Sequence, residues 1–224
     1  MLEIYLDSAN LAAIKTLSPV LPLAGVTTNP SIMAAGGLGL RELLPALTDI
    51  LGSDSRFHVQ VVGNTVEDII SEAKQLQAMP FDIVVKIPAH SAGLSAIKHL
   101  KQHNIPVLAT AIYTVQQGMM AALNGADYLA PYLNRIENMG FDGIAVVGDL
   151  QQFINQYQLP CKLLVASFKN VQQVLQVFKH GVQAVTLPLD IAQQILTTPA
   201  TDASVEQFNR DWQAVFTNKL SFES

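Results

Sequence analysis

Eight short runs rich in β-branched and aliphatic residues alternate with stretches whose apolar residues recur at helical spacing. They fill 224 residues with no linker, low-complexity tract or evident repeat between them. Half of the residues are hydrophobic and only 14% are charged, which suits one large buried core. Together these observations predict an α/β fold: a single-domain (β/α)8 TIM barrel over 1–224, with an extra C-terminal helix at about 203–217. A doubly wound open sheet is the competing architecture.

The elements follow in order. The first strand is 2–6, ending at Asp7, and Ser8 can cap the helix carrying Leu11, Ala12, Ile14 and Leu17. The second is 23–27, ending in Thr27-Thr28-Asn29-Pro30, where Pro30 suits a first helical position. A helix at 40–51 follows three glycines that fit neither a dinucleotide nor a P-loop pattern. Strand three is 57–62, and Thr65 caps a helix with Val66, Ile69, Ile70, Ala73 and Leu76 on one face. Strand four is 81–88, closed by Pro88, which has no N–H to donate. Ser91 opens the next helix. Strands five to eight are 106–110, 128–130, 162–166 and 184–187, with helices at 114–123, 149–157 and 171–178 between them. Helices near 189–196 and 203–216 finish the chain.

Composition narrows the function. Thirteen Lys and Arg against 18 Asp and Glu give a net charge of −5, and no basic cluster exists, which argues against nucleic acid or an anionic membrane as partner. The single cysteine, Cys161, cannot form an internal disulfide, and the first residues lack a basic leader region. A reducing cytoplasm is the expected location. No apolar run approaches the roughly 20 residues that span a bilayer.

Strand four carries one lysine, Lys86, within Ile83-Val84-Val85-Lys86-Ile87. Burial disfavours its ammonium, and a neutral amine is a nucleophile for carbonyl carbon. The competing reading is a lysine whose charge snorkels out at the strand end. Barrel active sites lie at the C-terminal ends of the strands. The polar residues there are Asp7, Thr27, Asn29, Gln60, Lys86, Thr110, Tyr132, Asn134, Arg135, Ser167 and Lys169. Singly, Asp7 could cap a helix, and Thr27 and Asn29 could form turns. Their convergence on one lysine favours Schiff-base chemistry. His58, on a strand, and His90, His99, His103 and His180, on or beside helices, read as surface histidines, because no zinc motif accompanies them. Cys161 lies at the N-terminal end of its strand, away from that ring, and reads as a small core or surface residue. No Ser-His-Asp arrangement is legible.

Leu6-Asp7-Ser8-Ala9-Asn10, Ala24-Gly25-Val26-Thr27-Thr28-Asn29-Pro30-Ser31, Ile83-Val84-Val85-Lys86-Ile87-Pro88, Ala130-Pro131-Tyr132-Leu133-Asn134-Arg135 and Ala166-Ser167-Phe168-Lys169 occur in that order. Leu187-Pro188-Leu189-Asp190 and Phe208-Asn209-Arg210-Asp211-Trp212 extend the pattern, and the whole chain resembles the transaldolase family, most closely its short fructose-6-phosphate aldolases. The resemblance implies a class I aldolase that needs no cofactor and no metal and acts on ketose and aldose phosphates. Lys86 would be the Schiff-base lysine and Asp7 would orient hydroxyls and assist proton transfer. Thr27 and Asn29 would hold the donor, while Arg135 and Ser167 would bind phosphate, with Asn134 beside them. Transaldolases of the family typically have glutamate at the position of Gln60 and phenylalanine at that of Tyr132. Gln60, Thr110 and Tyr132 are the aldolase-like set, so cleavage of fructose 6-phosphate is expected and dihydroxyacetone transfer is the alternative. Ala89-His90-Ser91 and 136–141 depart from the family's usual loops and bear on acceptor preference. Val205, Phe208, Trp212, Val215 and Phe216 share one broad face of the last helix, which by spacing alone could pack on its own barrel or on another chain; the family implies a homo-oligomer, a pentamer or decamer, with this helix reaching a neighbour.

Overall fold

A computed structural model describes residues 2–223. Eight parallel strands pair in sequence order and close on themselves: β1 (Glu3–Asp7), β2 (Leu23–Thr27), β3 (Arg56–Gln60), β4 (Asp82–Pro88), β5 (Val107–Ile112), β6 (Tyr128–Pro131), β7 (Lys162–Val165) and β8 (Ala184–Leu187). The barrel predicted from strand–helix alternation is the fold observed, and the open sheet is not. Its helices are α1 (Leu11–Leu17), α2 (Pro30–Gly36), α3 (Leu40–Leu51), α4 (Val66–Gln77), α5 (Ser91–Lys101), α6 (Val115–Leu123), α7 (Leu133–Asn138), α8 (Gly143–Gln156), α9 (Val171–Lys179), α10 (Leu189–Leu196) and α11 (Pro199–Phe216). The described residues form two compact units, one ending at Ala192 and the other beginning at Gln193. Among the described residues, no helix is long and apolar enough to cross a membrane.

Strand alternation divides the core in two. Outward residues such as Phe57, Val59, Ile83, Val85 and Ile87 pack in the larger apolar cluster with helix residues such as Leu43, Ile69 and Ile97. Inward residues stack in layers inside the barrel. Tyr5, Val84, Leu108, Tyr128, Ala130, Leu164 and Ala184 form this second, interior cluster. Below it, Glu3 accepts hydrogen bonds from Tyr5 (2.8 Å) and Tyr128 (2.9 Å) and pairs with Lys162. Arg56 donates to Tyr128 at 2.9 Å and pairs with Asp82 at 2.9 Å. A bowl of about 760 Å³ opens at that N-terminal end, lined in part by Arg56, Asp127, Tyr128 and Lys162. Its charges are already paired, so it is a polar plug that closes the barrel floor.

Two glycines allow the close packing that shapes the mouth. Gly25 in β2 has φ +154°, and a Cβ there would overlap the Arg56 carbonyl of β3. Gly93 in the first turn of α5 lies on the Pro88 carbonyl, so the helix starts directly above the end of β4.

His58 corrects the sequence expectation of a surface histidine. It is fully buried, with its ring edge-to-face against Tyr5 (4.7 Å between centroids) and Tyr128 (5.1 Å). The reason is strand parity: Phe57 and Val59 face the helices, so His58 must face the barrel interior. Among the described residues neither ring nitrogen has a hydrogen-bond partner, and burial, then the charges of Lys86 and Arg56, hold the imidazole well below its usual pKa. Phenylalanine would keep the ring contacts without the unmet polar atoms. His58→Phe is therefore expected to raise unfolding stability by about 1–3 kcal/mol, measured by urea titration at pH 7. Below pH 6.5 the unfolded chain takes up a proton that the folded ring refuses. Stability of the native protein thus falls with pH by up to about 1.4 kcal/mol per unit from this group, and the Phe variant lacks that component.

Smaller differences occur elsewhere. Ser8 does not cap α1: Asn10 does, accepting from the Ala13 N–H, while Ser8 Oγ accepts from the Asn10 N–H at 3.0 Å. β3 stops at Gln60, because beyond it the backbone N–H groups of Val62 and Gly63 turn to the Glu72 carboxylate. Cys161 is buried, away from the C-terminal strand ends, and its thiol is pushed up to about 12 by desolvation.

Candidate active site at the C-terminal ends of the strands

Lys86 faces inward from β4, paired in register with Gln60 of β3 on one side and Leu108 of β5 on the other. It is 3% exposed, so its charge does not snorkel to solvent. Nζ donates to the Thr28 carbonyl at 3.0 Å. Burial lowers its pKa; the negative charge of Asp7 works against that effect and the positive charge of Arg135 adds to it. A lysine held this way releases its proton more readily than a surface lysine and carries a lone pair at lower pH.

Asp7 ends β1 opposite Thr27 of β2. Its carboxylate accepts the Thr27 hydroxyl at 2.7 Å, and Thr27 in turn lies 2.7 Å from the Thr186 hydroxyl of β8. This chain fixes one carboxylate oxygen and leaves the other open to the cavity side of Lys86 and Tyr132, both of which feel its charge. Asn29 caps α2 through its side-chain oxygen, accepting from the Ile32 N–H at 3.0 Å. It is thus the turn former anticipated, with its amide N–H groups still able to face a ligand.

On the far side, Thr110 donates to the Tyr132 hydroxyl oxygen at 3.0 Å. Burial raises the Tyr132 pKa, so the phenol keeps its proton, and with its oxygen already accepting from Thr110 that proton points elsewhere. Arg135 lies over the Tyr132 ring, 4.7 Å from its centroid, and Tyr113 packs edge-on at 5.7 Å. A hydrogen bond with Tyr113 helps hold the Arg135 charge. Gln60, beside Lys86 in register, keeps a buried side-chain oxygen with no hydrogen-bond partner among the described residues. Ser167 follows β7 with φ +65°, and its carbonyl accepts the Asn134 N–H at 2.9 Å. Among the described residues, no cluster of three or more His, Cys, Asp or Glu side chains is arranged to hold a metal ion.

The structure therefore gathers Asp7, Thr27, Gln60, Lys86, Thr110 and Tyr132 at one barrel mouth, with Asn29, Asn134, Arg135 and Ser167 on its rim. Sequence reading missed three contributors: the Thr28 carbonyl, Tyr113 and Thr186. Thr186 was detectable in principle, as the one polar residue in Ala184-Val185-Thr186-Leu187.

Solved structures share the architecture at low identity. A flavocytochrome b2 variant with pyruvate bound superposes with TM-score 0.61 at 11% identity, covering 84% of this chain and 56% of that one. A related variant with sulfite bound gives 0.60 at 11% identity, with the same coverage. A mandelate oxidase variant carrying an FMN adduct gives 0.56 at 14% identity, covering 86% of this chain and 65% of that one. The chain thus spans little more than half the length of the flavocytochromes, and at this identity the likeness is one of fold alone. Family membership is more specific: over residues 4–223 the chain matches the transaldolase/fructose-6-phosphate aldolase model, and it belongs to that family.

Proposed function

We propose that the protein is a class I aldolase that reversibly cleaves fructose 6-phosphate to dihydroxyacetone and glyceraldehyde 3-phosphate. The observation that carries this reading is Lys86: buried, pushed toward its neutral form, and flanked by a carboxylate on one side and a Thr–Tyr pair on the other. The neutral amine attacks C2 of the ketose, and loss of water gives an iminium. Asp7, held by Thr27, takes the proton of the C4 hydroxyl. The C3–C4 bond breaks, its electron pair moves to the iminium as an enamine, and the aldehyde leaves. Arg135 and Ser167 hold its phosphate.

The fate of the enamine separates aldolase from transaldolase. Tyr132, kept protonated by burial and oriented by Thr110, supplies a proton to C3 directly or through a water near Gln60. Hydrolysis of the new iminium then frees dihydroxyacetone and Lys86. The test measures free dihydroxyacetone from fructose 6-phosphate with and without erythrose 4-phosphate. Release equal to cleavage in the absence of acceptor is expected. Negligible release until the acceptor is added would assign the protein to the transaldolases.

The active form is proposed to be a ring of identical chains. No residue of α11 is buried, and Val205, Phe208 and Val215 are 49%, 67% and 71% exposed. Light scattering should give a multiple of the 24.2 kDa chain mass. Phe208→Glu should shift it toward one chain, and a wild-type mass of a single chain would contradict the assembly.

A further inference from the structure

The residues assigned to the phosphate come from two separate loops. Asn134 and Arg135 lie in the first turn of α7, after β6. Ser167 and Lys169 lie in the loop between β7 and α9. Backbone bonds join the loops at their roots: Leu133 N–H to the Ala166 carbonyl at 3.0 Å and Asn134 N–H to the Ser167 carbonyl at 2.9 Å. Further out, a side chain joins them. Gln173, in the first turn of α9, is 6% exposed. Its Oε1 accepts the Lys169 N–H at 2.7 Å, and its Nε2 donates to Asn134 Oδ1 at 3.3 Å and Glu137 Oε2 at 2.6 Å. The Lys169 N–H can only donate, so the orientation of the carboxamide is fixed, and both of its N–H groups are used. A buried amide fully engaged with two loops constrains their separation more than it adds stability.

We propose that Gln173 is a positioning residue for the phosphate end of the substrate, locking the turn that carries Asn134 and Arg135 to the loop that carries Ser167 so that both meet one anion. This rests on the reading of Arg135 and Ser167 as the phosphate site. Gln173 itself faces the loops and touches no reacting atom. Its loss should weaken recognition of phosphate while leaving Lys86 and the donor half unaltered.

The test runs the aldol reaction with dihydroxyacetone as donor and compares glyceraldehyde 3-phosphate with unphosphorylated glyceraldehyde as acceptor. Gln173→Glu keeps an acceptor for Lys169 but turns an oxygen toward Asn134 and Glu137. The KM for glyceraldehyde 3-phosphate should rise about tenfold or more, the scale of one lost charged hydrogen bond. The KM for glyceraldehyde, kcat, and borohydride capture of dihydroxyacetone on Lys86 should stay within about twofold of wild type. Adding Glu137→Gln restores a donor across the same contact and should return the KM to near the native value. Glu137→Ala, at a half-buried position, removes one anchor with little risk to folding and should also raise only the phosphate-dependent KM. Equal losses on both aldehydes, or no loss on either, overturn the inference while the phosphate site stands. A native enzyme that does not distinguish the two aldehydes overturns both.

Discussion

Lys86→Met should abolish turnover and make the barrel more stable. The first effect follows from removing the only atom proposed to bond substrate, and a fall of at least about 10⁴-fold in kcat is expected. The second follows from burial. Among the described residues, the Lys86 ammonium makes one hydrogen bond, to the Thr28 carbonyl, and the charge of Asp7 reaches it without a direct ion pair. Its folded pKa lies below the usual 10.5, so between those two values the unfolded chain binds a proton that the folded chain does not. Stability contributed at this position therefore falls as pH drops below 10.5. Methionine has similar length and no charge, and should raise unfolding stability by roughly 1–3 kcal/mol, with a larger gain at pH 6 than at pH 9. Lys86→Arg should lose activity too, but with the opposite effect on stability, because a guanidinium cannot shed its charge there. Native-like turnover in Lys86→Met would remove the Schiff base from the account.

Tyr132→Phe should separate the two reactions that the family's chemistry allows. Release of free dihydroxyacetone needs a proton at C3 of the enamine, whereas transfer to an aldose needs only a second aldehyde. Loss of the phenol should slow release by about 10²–10³-fold, in the range of a positioned general acid, and slow transfer by less than about tenfold. The ring remains, so the Arg135 and Tyr113 contacts at 4.7 and 5.7 Å are kept. Because burial raises the Tyr132 pKa, native release should hold through neutral pH and decline only as alkaline pH ionises the phenol. Parallel losses of release and transfer would place Tyr132 in binding instead.

The strands were legible because each is a compact apolar run closed by a turn former. β2 and β8 match the sequence reading to the residue, and β4 differs only at Phe81. α7 was missed because six residues are too few to show an amphipathic repeat, and Asn134-Arg135 reads as polar loop. α8 begins at Gly143, six residues before 149. Asp142 was the available start signal, its side chain capping the Ala145 N–H at 2.9 Å. Reading the strand ends as a ring brought together the buried Lys86 and most of the polar residues that share its end of the barrel. Contacts that depend on closure were not visible: Thr186 reaches Thr27 across 159 residues, and Gln173 reaches Asn134 across 39. His58 was misjudged for a related reason, since a barrel strand buries both faces and a polar residue between two apolar ones points into the interior.

Incubation with dihydroxyacetone followed by borohydride reduction, with mass spectrometry of the proteolysed chain, tests the Schiff base most directly. The expected result is one reduced three-carbon adduct, on the peptide containing Lys86 and absent from Lys86→Met. An unmodified Lys86 peptide from enzyme that still catalyses the aldol reaction would contradict it.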